Sequence, residues 1–325
     1  AERGGASVPV IEPREADGSR GTWESVLRTR GENWPRATEL LAACTSELTE
    51  IRGDRIGGGD DLACVAGIAL LLGRPVGVVA QVQARQGGTT AKMTPAGFRK
   101  ARRLLRLAEE LGLPVVSVID TPGPELSASA EASGLATEIA ATLADLSDLS
   151  TPTVAVLLGQ GGGGGAMAFL LADRVIAADS AWLAPIAPEG ASSILYRTQD
   201  RASGVATSQH ISSPDLAQMG IVDTLVPGPS ASPEGAAGFL ARMGRTLAAT
   251  LEDLAVEGSR SLQARRAARY RNIGSSFVTP GNLPIPPRPG PPVPLGEAVA
   301  EDERRSSTPS ADDASHGPVP GVPHG

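Results

Sequence analysis

The sequence predicts an α/β fold. Three observations carry this. Short apolar runs of strand length alternate with longer segments of helical periodicity. Turns bearing glycine or proline separate them. A content of 41% apolar residues in 325 gives a core for one large or two small domains. Only 3% of residues are aromatic, so alanine, leucine, valine and glycine must fill that core. The alternation fits a spiral of ββα units and equally a doubly wound sheet; periodicity alone does not separate them. One domain is expected over residues 22–275, between an N-terminal segment, 1–21, and a tail, 276–325. Both ends lack apolar periodicity and are expected to be disordered.

Taken in order, Trp23, Val26 and Leu27 begin a short amphipathic helix. Thr38 to Leu48 reads as a second, with Leu40, Leu41 and Leu48 on one side. A glycine-rich loop follows, in which Asp54 and Arg55 read as a site pair or as an ion pair closing the loop. Leu62–Leu71 and Val76–Val82, joined by Gly73-Arg74-Pro75, read as a hairpin. Gln86-Gly87-Gly88-Thr89-Thr90 is a second glycine-rich loop. Pro95 suits a first helical turn, and the helix runs from about Gly97 to Leu111 before Gly112 and Pro114 stop it. Its exposed face carries Arg99, Lys100, Arg102, Arg103 and Arg106. Such a face meets water or attracts a polyanion such as a phosphorylated nucleotide tail.

Val115–Ile119 is a buried strand ending at Asp120-Thr121-Pro122-Gly123, a turn of the kind that carries sites in α/β proteins. Ala130–Leu149 reads as one long helix. Thr153–Leu158 is a strand leading into glycines, and Ala166–Ala172 a small-residue helix after them. Arg174–Ala178 is a further strand. Trp182–Ile186 leads to Pro188-Glu189-Gly190-Ala191-Ser192-Ser193, a turn into a helix that Ser192 or Ser193 would cap. Leu216–Gly220 ends a helix and Ile221–Val226 is a strand. Gly235–Glu257 and Ser259–Arg271 are the last helices, and from Pro280 the chain is proline-rich.

The stretch Gly159-Gln160-Gly161-Gly162-Gly163-Gly164-Gly165-Ala166 stands between the apolar strand and the small-residue helix. Two readings remain open from the residues: a tight turn that lets helix and strand pack closely, or an anion site built from the first amides of a helix. A phosphate loop would place Gly-Lys-Ser or Gly-Lys-Thr after the glycines, and Ala166-Met167 stands there instead. A nucleophile elbow would place serine at position 163, which is Gly163. Backbone donors alone suit an oxyanion hole.

The formal charge of −7 argues against nucleic acid as a partner. Cys44 and Cys64 form no metal pattern and need no disulfide. No apolar run reaches the roughly 18 residues of a membrane span. A soluble, cytoplasmic protein is expected, without a metal of its own.

Several stretches together resemble the α subunit of the carboxyltransferase of multi-subunit acetyl-CoA carboxylase. They are Thr22-Trp23-Glu24-Ser25-Val26, Glu50-Ile51-Arg52-Gly53-Asp54-Arg55, Gly73-Arg74-Pro75-Val76, Pro95-Ala96-Gly97-Phe98-Arg99-Lys100-Ala101, Ile119-Asp120-Thr121-Pro122-Gly123, the glycine stretch, and Pro188-Glu189-Gly190-Ala191-Ser192-Ser193-Ile194-Leu195. They keep the family's order over about residues 22–275. The resemblance implies a crotonase-like ββα spiral. It implies transfer of a carboxyl group from biotin on a separate carrier protein to acetyl-CoA, giving malonyl-CoA for fatty acid synthesis. Two oxyanions then need holding, one on biotin and one on the thioester. By similarity Gly164 and Gly165 offer the catalytic amides, and Gly123, Gly162, Gly163, Pro188, Glu189 and Gly190 bind biotin. The implied partners are a zinc-ribbon β subunit, separate or fused upstream, a biotin carboxyl carrier protein, biotin carboxylase and acetyl-CoA, in an α2β2 assembly. The sequence departs from the family at Pro124-Glu125-Leu126-Ser127, at Gln160, at Gly163, and in the shortened loop Arg85-Gln86-Gly87-Gly88. The rival readings are a non-catalytic scaffold of the same fold, a carboxyltransferase for another acyl-CoA, and a hydratase using Glu125 or Glu131. A serine hydrolase is denied by Gly163.

Overall fold

The computed structural model describes residues 18–57, 59–86, 89–229, 235–256 and 258–273. Residues 1–17 of the N-terminal segment, Gly87 and Gly88 of the second glycine-rich loop, and the tail from residue 276 lie outside the described residues.

The elements in order are α1 (Gly18–Arg30), α2 (Ala37–Cys44), β1 (Thr45–Glu50), β2 (Cys64–Leu71), β3 (Arg74–Gln81), β4 (Arg85–Gln86), β5 (Thr89–Thr90) and α3 (Pro95–Glu110). There follow β6 (Val115–Thr121), α4 (Ala128–Ala132), α5 (Leu135–Asp148), β7 (Thr153–Gly162), α6 (Gly163–Met167), β8 (Arg174–Ala178) and β9 (Trp182–Ala184). The last are α7 (Pro188–Tyr196), α8 (Ala202–Ser208), α9 (Ser213–Gln218), β10 (Thr224–Val226), α10 (Gly235–Ala255) and α11 (Ser259–Asn272).

The main sheet runs β1-β2-β3-β6-β7-β8-β10, with β9 beside the end of β7. β1, β2 and β3 pair antiparallel, and from β3 onward the ladders are parallel. Along this main path strand order follows chain order and never reverses. The crevice of a doubly wound sheet, which needs a reversal, is therefore not formed, and the spiral reading is the right one. α3 packs over β2 and β3 with α5 against its other side, while α2 and α10 pack together against β3, β6 and β7. β6 and β7 lie between these layers and are buried along their whole length, as central parallel strands must be. The core is mostly Ala, Val and Leu, with Phe98, Phe169, Phe239 and Trp34 among its few rings.

Several expectations are corrected. α1 begins at Gly18, inside the segment read as disordered. The helix read over Thr38–Leu48 stops at Cys44, because the Thr45 hydroxyl takes the Leu41 carbonyl (2.7 Å) and the chain then pairs with β2. That pairing overrides a helical pattern; β-branched Thr45 and Thr49 accept it readily. The long helix over Ala130–Leu149 is broken at Ser133 and Gly134, the latter at φ +87°. Asp54 meets Arg99 (2.7 Å), so the ion pair that closes the loop is not with its neighbour Arg55 in the chain but with α3.

The basic face of α3 is also not free for a polyanion. Arg99 and Arg102 pair with Glu138, Arg102 and Arg106 with Asp145, and Arg103 donates to the carbonyls of Arg52 and Gly53. Lys100 is 1% exposed and sits between Glu50 (2.8 Å) and Asp60 (2.9 Å). The stripe that reads as a solvated or ligand-binding face is spent on α5 and on the acids around β1. Ser192 and Ser193 lie inside α7 and cap nothing at its start. Ser192 Oγ instead donates to the Thr198 carbonyl (2.6 Å), closing the chain after the helix has ended at left-handed Arg197.

Candidate functional site

The candidate site lies at the C-terminal ends of β6 and β7. β7 does not stop at Leu158 as its apolar run suggests. It continues through Gly162, because Gly161 pairs with Thr121 of β6 while Gln160–Gly162 pair with Trp182–Ala184 of β9. Glycine weakens a strand, but a ladder on each side outweighs that here.

Two glycines are required for distinct reasons. Gly162 passes so close to the Thr121-Pro122-Gly123 turn that a Cβ there would sit 2.2 Å from the Pro122 oxygen. Gly163 has φ +71°, the left-handed angle that turns the chain out of β7. Gly123 faces Gly162, with its Cβ position 3.7 Å from the Gly162 carbonyl. The Cβ position of Gly163 lies 3.9 Å from the Pro185 carbonyl, which brings the approach to α7 beside the turn. Gly123, Gly162 and Gly163 thus lie together at the turn.

Gly164 and Gly165 complete the first turn of α6. The amides of Gly163, Gly164 and Gly165 have no carbonyl one turn back to receive them. α6 is a single turn, shorter than the helix expected over Ala166–Ala172, so any positive potential comes from these amides locally and not from a long macrodipole. The Gly165 carbonyl is fixed from the end of β3, where Gln81 Nε2 donates to it (2.8 Å). Gln81 escaped sequence reasoning, although a lone amide closing an apolar strand is a signal of its own.

Pro188 opens α7 and has no N–H, so Glu189 and Gly190 carry the amides of its first turn. The Glu189 carboxylate is gripped by the Arg30 fork, which holds it below the usual carboxylate range. Arg30 also lies over the rings of Trp23 and Trp182, at 5.9 and 5.6 Å. Arg30 too was missed, being distant in sequence from everything it touches here.

Beneath the turn sits Asp120, fully buried. Burial pushes its carboxyl up to about 6, against the pull of Arg36 and the hydrogen bonds it accepts from Gln83 and the amides of Ala37 and Gln160. Gln83 Nε2 lies 2.7 Å from Oδ1, and the Arg36 guanidinium 3.8 Å from the same atom. Of the acids considered for a hydratase, Glu131 is exposed on α4 and Glu125 lines a small polar hollow with Thr94, Arg99 and Ser127. Among the described residues no group of three or more His, Cys, Asp or Glu could hold a metal ion. No helix among them is long and apolar enough to cross a membrane. Cys44 and Cys64 are free thiols, both buried, and burial pushes both pKa values up.

A family described as acetyl co-enzyme A carboxylase carboxyltransferase-like matches residues 18–274. The chain is 42% identical over 253 residues to a probable biotin-dependent acyl-coenzyme A carboxylase beta3 subunit of Mycobacterium tuberculosis, covering 78% of this chain and 50% of that one. It therefore spans half the length of that relative. It is 37% identical over 271 residues to the acetyl-coenzyme A carboxylase carboxyl transferase subunit alpha of Deinococcus radiodurans, covering 81% of this chain and 84% of that one. Among solved structures it is similar to the transcarboxylase 12S core with methylmalonyl-coenzyme A bound. The TM-score is 0.58 at 21% identity, over 76% of this chain and 47% of that one. That likeness concerns the fold, which is the crotonase-like one.

Proposed function

The chain belongs to the acetyl co-enzyme A carboxylase carboxyltransferase-like family, and from that premise we propose that it is an α-type carboxyltransferase subunit, moving a carboxyl group from carrier-borne biotin to acetyl-CoA to give malonyl-CoA. One observation carries the reading. Where Gly162 crosses Pro122, the chain turns from β7 into α6, whose first amides have no intrahelical carbonyl and no nucleophilic side chain among them. The fit to biotin is in the donor set: neutral, fixed amides beside a main chain that no Cβ covers at 162 and 163. Biotin, when bound, supplies the carboxyl group on a ureido nitrogen. The amides of Gly164 and Gly165 would donate to the ureido oxygen of bound biotin, a contribution of about 3 to 4 kcal/mol for a well-placed oxyanion donor. Gly123, Gly162 and Gly163 form the close-packed floor. Pro188, Glu189 and Gly190 border it. Arg30 neutralises Glu189, so that this carboxylate does not oppose the charge being stabilised.

The partner is a β subunit bearing a zinc ribbon, separate or fused upstream, and the assembly is α2β2 with a biotin carrier and biotin carboxylase acting in turn. The name of the Deinococcus relative supports the α assignment and acetyl-CoA. Exposed apolar side chains on the segments that flank the turn in the chain support the partner. Leu126 (71% exposed) follows Pro124, which packs on Gly163 and Gly165; Met167 ends α6; Ile186 precedes α7; and Ile194 (72% exposed), Leu195 and Tyr196 end it. Exposed apolar side chains on segments adjoining the turn in the chain suit a surface to be covered. Ile194→Glu should therefore weaken association with the β subunit by about tenfold or more, read by titration calorimetry, with an unchanged melting temperature. Unchanged affinity would move the interface elsewhere. The reaction itself is tested by assembling the chain with its β subunit and following malonyl-CoA formation from carboxylated carrier and acetyl-CoA. An assembled complex that forms none, with any acyl-CoA offered, overturns the function.

A further inference from the structure

The ladder between β6 and β7 slips next to the candidate site. Ile119 pairs with Leu157 and Thr121 with Gly161, so Asp120 alone stands opposite Leu158, Gly159 and Gln160. A bulge of this kind orphans main-chain groups. Two of them are met by buried side chains. The Trp34 indole donates to the Leu158 carbonyl (3.1 Å), and Asp120 accepts from the Gln160 amide. Gly159 lies between these side chains: its Cβ position is 2.9 Å from Trp34 Nε1 and 3.3 Å from Asp120 Oδ1. Asp120 is itself held by Gln83 from beyond the end of β3 (2.7 Å) and by the Ala37 amide at the start of α2 (3.4 Å). The next residues along β7 are the glycines that turn into α6.

We propose that Asp120 is a positioning residue of the carboxyl-transfer site: with Trp34 it pins the β7 bulge and so sets where the Gly162–Gly165 amides stand. The inference rests on the proposed function for its catalytic consequence but not for its structural one. The pinning form is the carboxylate, which accepts several N–H bonds at once; the protonated acid accepts fewer. Arg36 is the charged group facing it, and Gln83, Ala37, Gln160 and Trp34 bring only neutral ones. Pinning should therefore weaken as pH falls through about 6, even though the protein gains no instability from protonating this group.

Two arms test this. In the isolated chain, amide hydrogen exchange is followed by NMR for wild type, Asp120→Asn and Trp34→Phe. Asn cannot accept at both oxygen positions, so exchange at Gln160 should rise by about tenfold or more in Asp120→Asn, with Val154–Val156 unchanged, and the Gly163–Gly165 amide resonances should shift. Trp34→Phe should act in the same direction. In the wild type alone, the protection of the Gln160 amide, corrected for intrinsic rate, should fall below about pH 6, with the Gly163–Gly165 resonances shifting over the same range. In the complex with the β subunit, Asp120→Asn should lower kcat by about 10²-fold with little change in KM for the carrier, and should lose the inflection near pH 6. Unchanged Gln160 protection and unchanged Gly163–Gly165 resonances, across the substitutions and pH, overturn the proposal. So does a kcat loss no larger than the unfolded fraction. A wild-type complex without transfer activity defeats the functional reading alone, and the exchange arm still decides the role of Asp120.

Discussion

Arg266→Ala should cost about 3 to 5 kcal/mol of stability, the usual penalty for breaking a buried charge pair from one side. Arg266 is 1% exposed, on the inner face of α11. Its Nε and Nη2 meet the two oxygens of Asp173 at 3.0 and 2.7 Å. Its remaining donors go to the carbonyls of Leu146, Ser147, Leu149 and Thr151. These carbonyls lie at and beyond the C-terminal end of α5, where a helix has orphan acceptors and negative potential. Asp173 also accepts from the Thr153 amide and hydroxyl at 2.8 and 2.9 Å, at the start of β7. Alanine would leave that carboxylate buried without its cation and the carbonyls without donors. Lysine should recover little, since one ammonium cannot reproduce a planar fork. Urea denaturation reads the effect as a shift in midpoint at constant slope. A loss under about 1 kcal/mol, the scale of an ordinary surface change, would mean that α11 is not docked in this way.

Gly162→Ala should lower carboxyl transfer by about 10²- to 10³-fold, the loss expected when an oxyanion donor is displaced. The added methyl would lie 2.2 Å from a main-chain oxygen, so β7 or the Pro122 turn must move. The contrast is Gly164→Ala, whose methyl would meet only Ile139, at 3.8 Å. That variant should fold as well as the wild type, and its turnover reports directly on crowding at the proposed donor. A valine at Gly165 is a poorer probe, since its Cβ position points at Pro124 and Phe98 (3.2 and 3.4 Å) and would disturb packing first. Steady-state kinetics of the assembled complexes, with partner binding measured separately, decides. Near-normal turnover by a correctly assembled Gly162→Ala complex would place the catalytic donors elsewhere.

The parts of this architecture legible in the sequence were those written locally. The hairpin of β2 and β3 follows from two apolar runs around Gly73-Arg74-Pro75, and the turn after β6 from Thr121-Pro122-Gly123. The glycine stretch announced a close approach, and Gly162 makes it. What stayed hidden depends on distant partners. The helical pattern runs on through Leu48, and Thr45–Glu50 becomes a strand only by pairing with β2. Lys100 reads as surface because its helix is basic, and is buried because Glu50 and Asp60 reach it from another element. Asp120 reads as the first residue of a turn, while the register slip that gives it a task exists only between two strands. Gln81 and Arg30 act on the site across the fold, and no spacing in the chain encodes either contact.

The grip of Arg266 also bears on the order in which the protein is made. Its bonds to Asp173 and to the end of α5 join residues 93 to 120 positions apart. The C-terminal side of α5 and the start of β7 and β8 must therefore wait for the last described helix before their buried charge and carbonyls are matched. Contacts of such long separation slow folding, because the chain pays closure entropy before they return anything. During vectorial synthesis the central strands emerge well ahead of the residue that locks their near ends. A nascent chain stalled before residue 266 would hold a formed glycine turn at one end of the sheet and an unmatched carboxylate at the other, and would be open to proteases and chaperones at that second end.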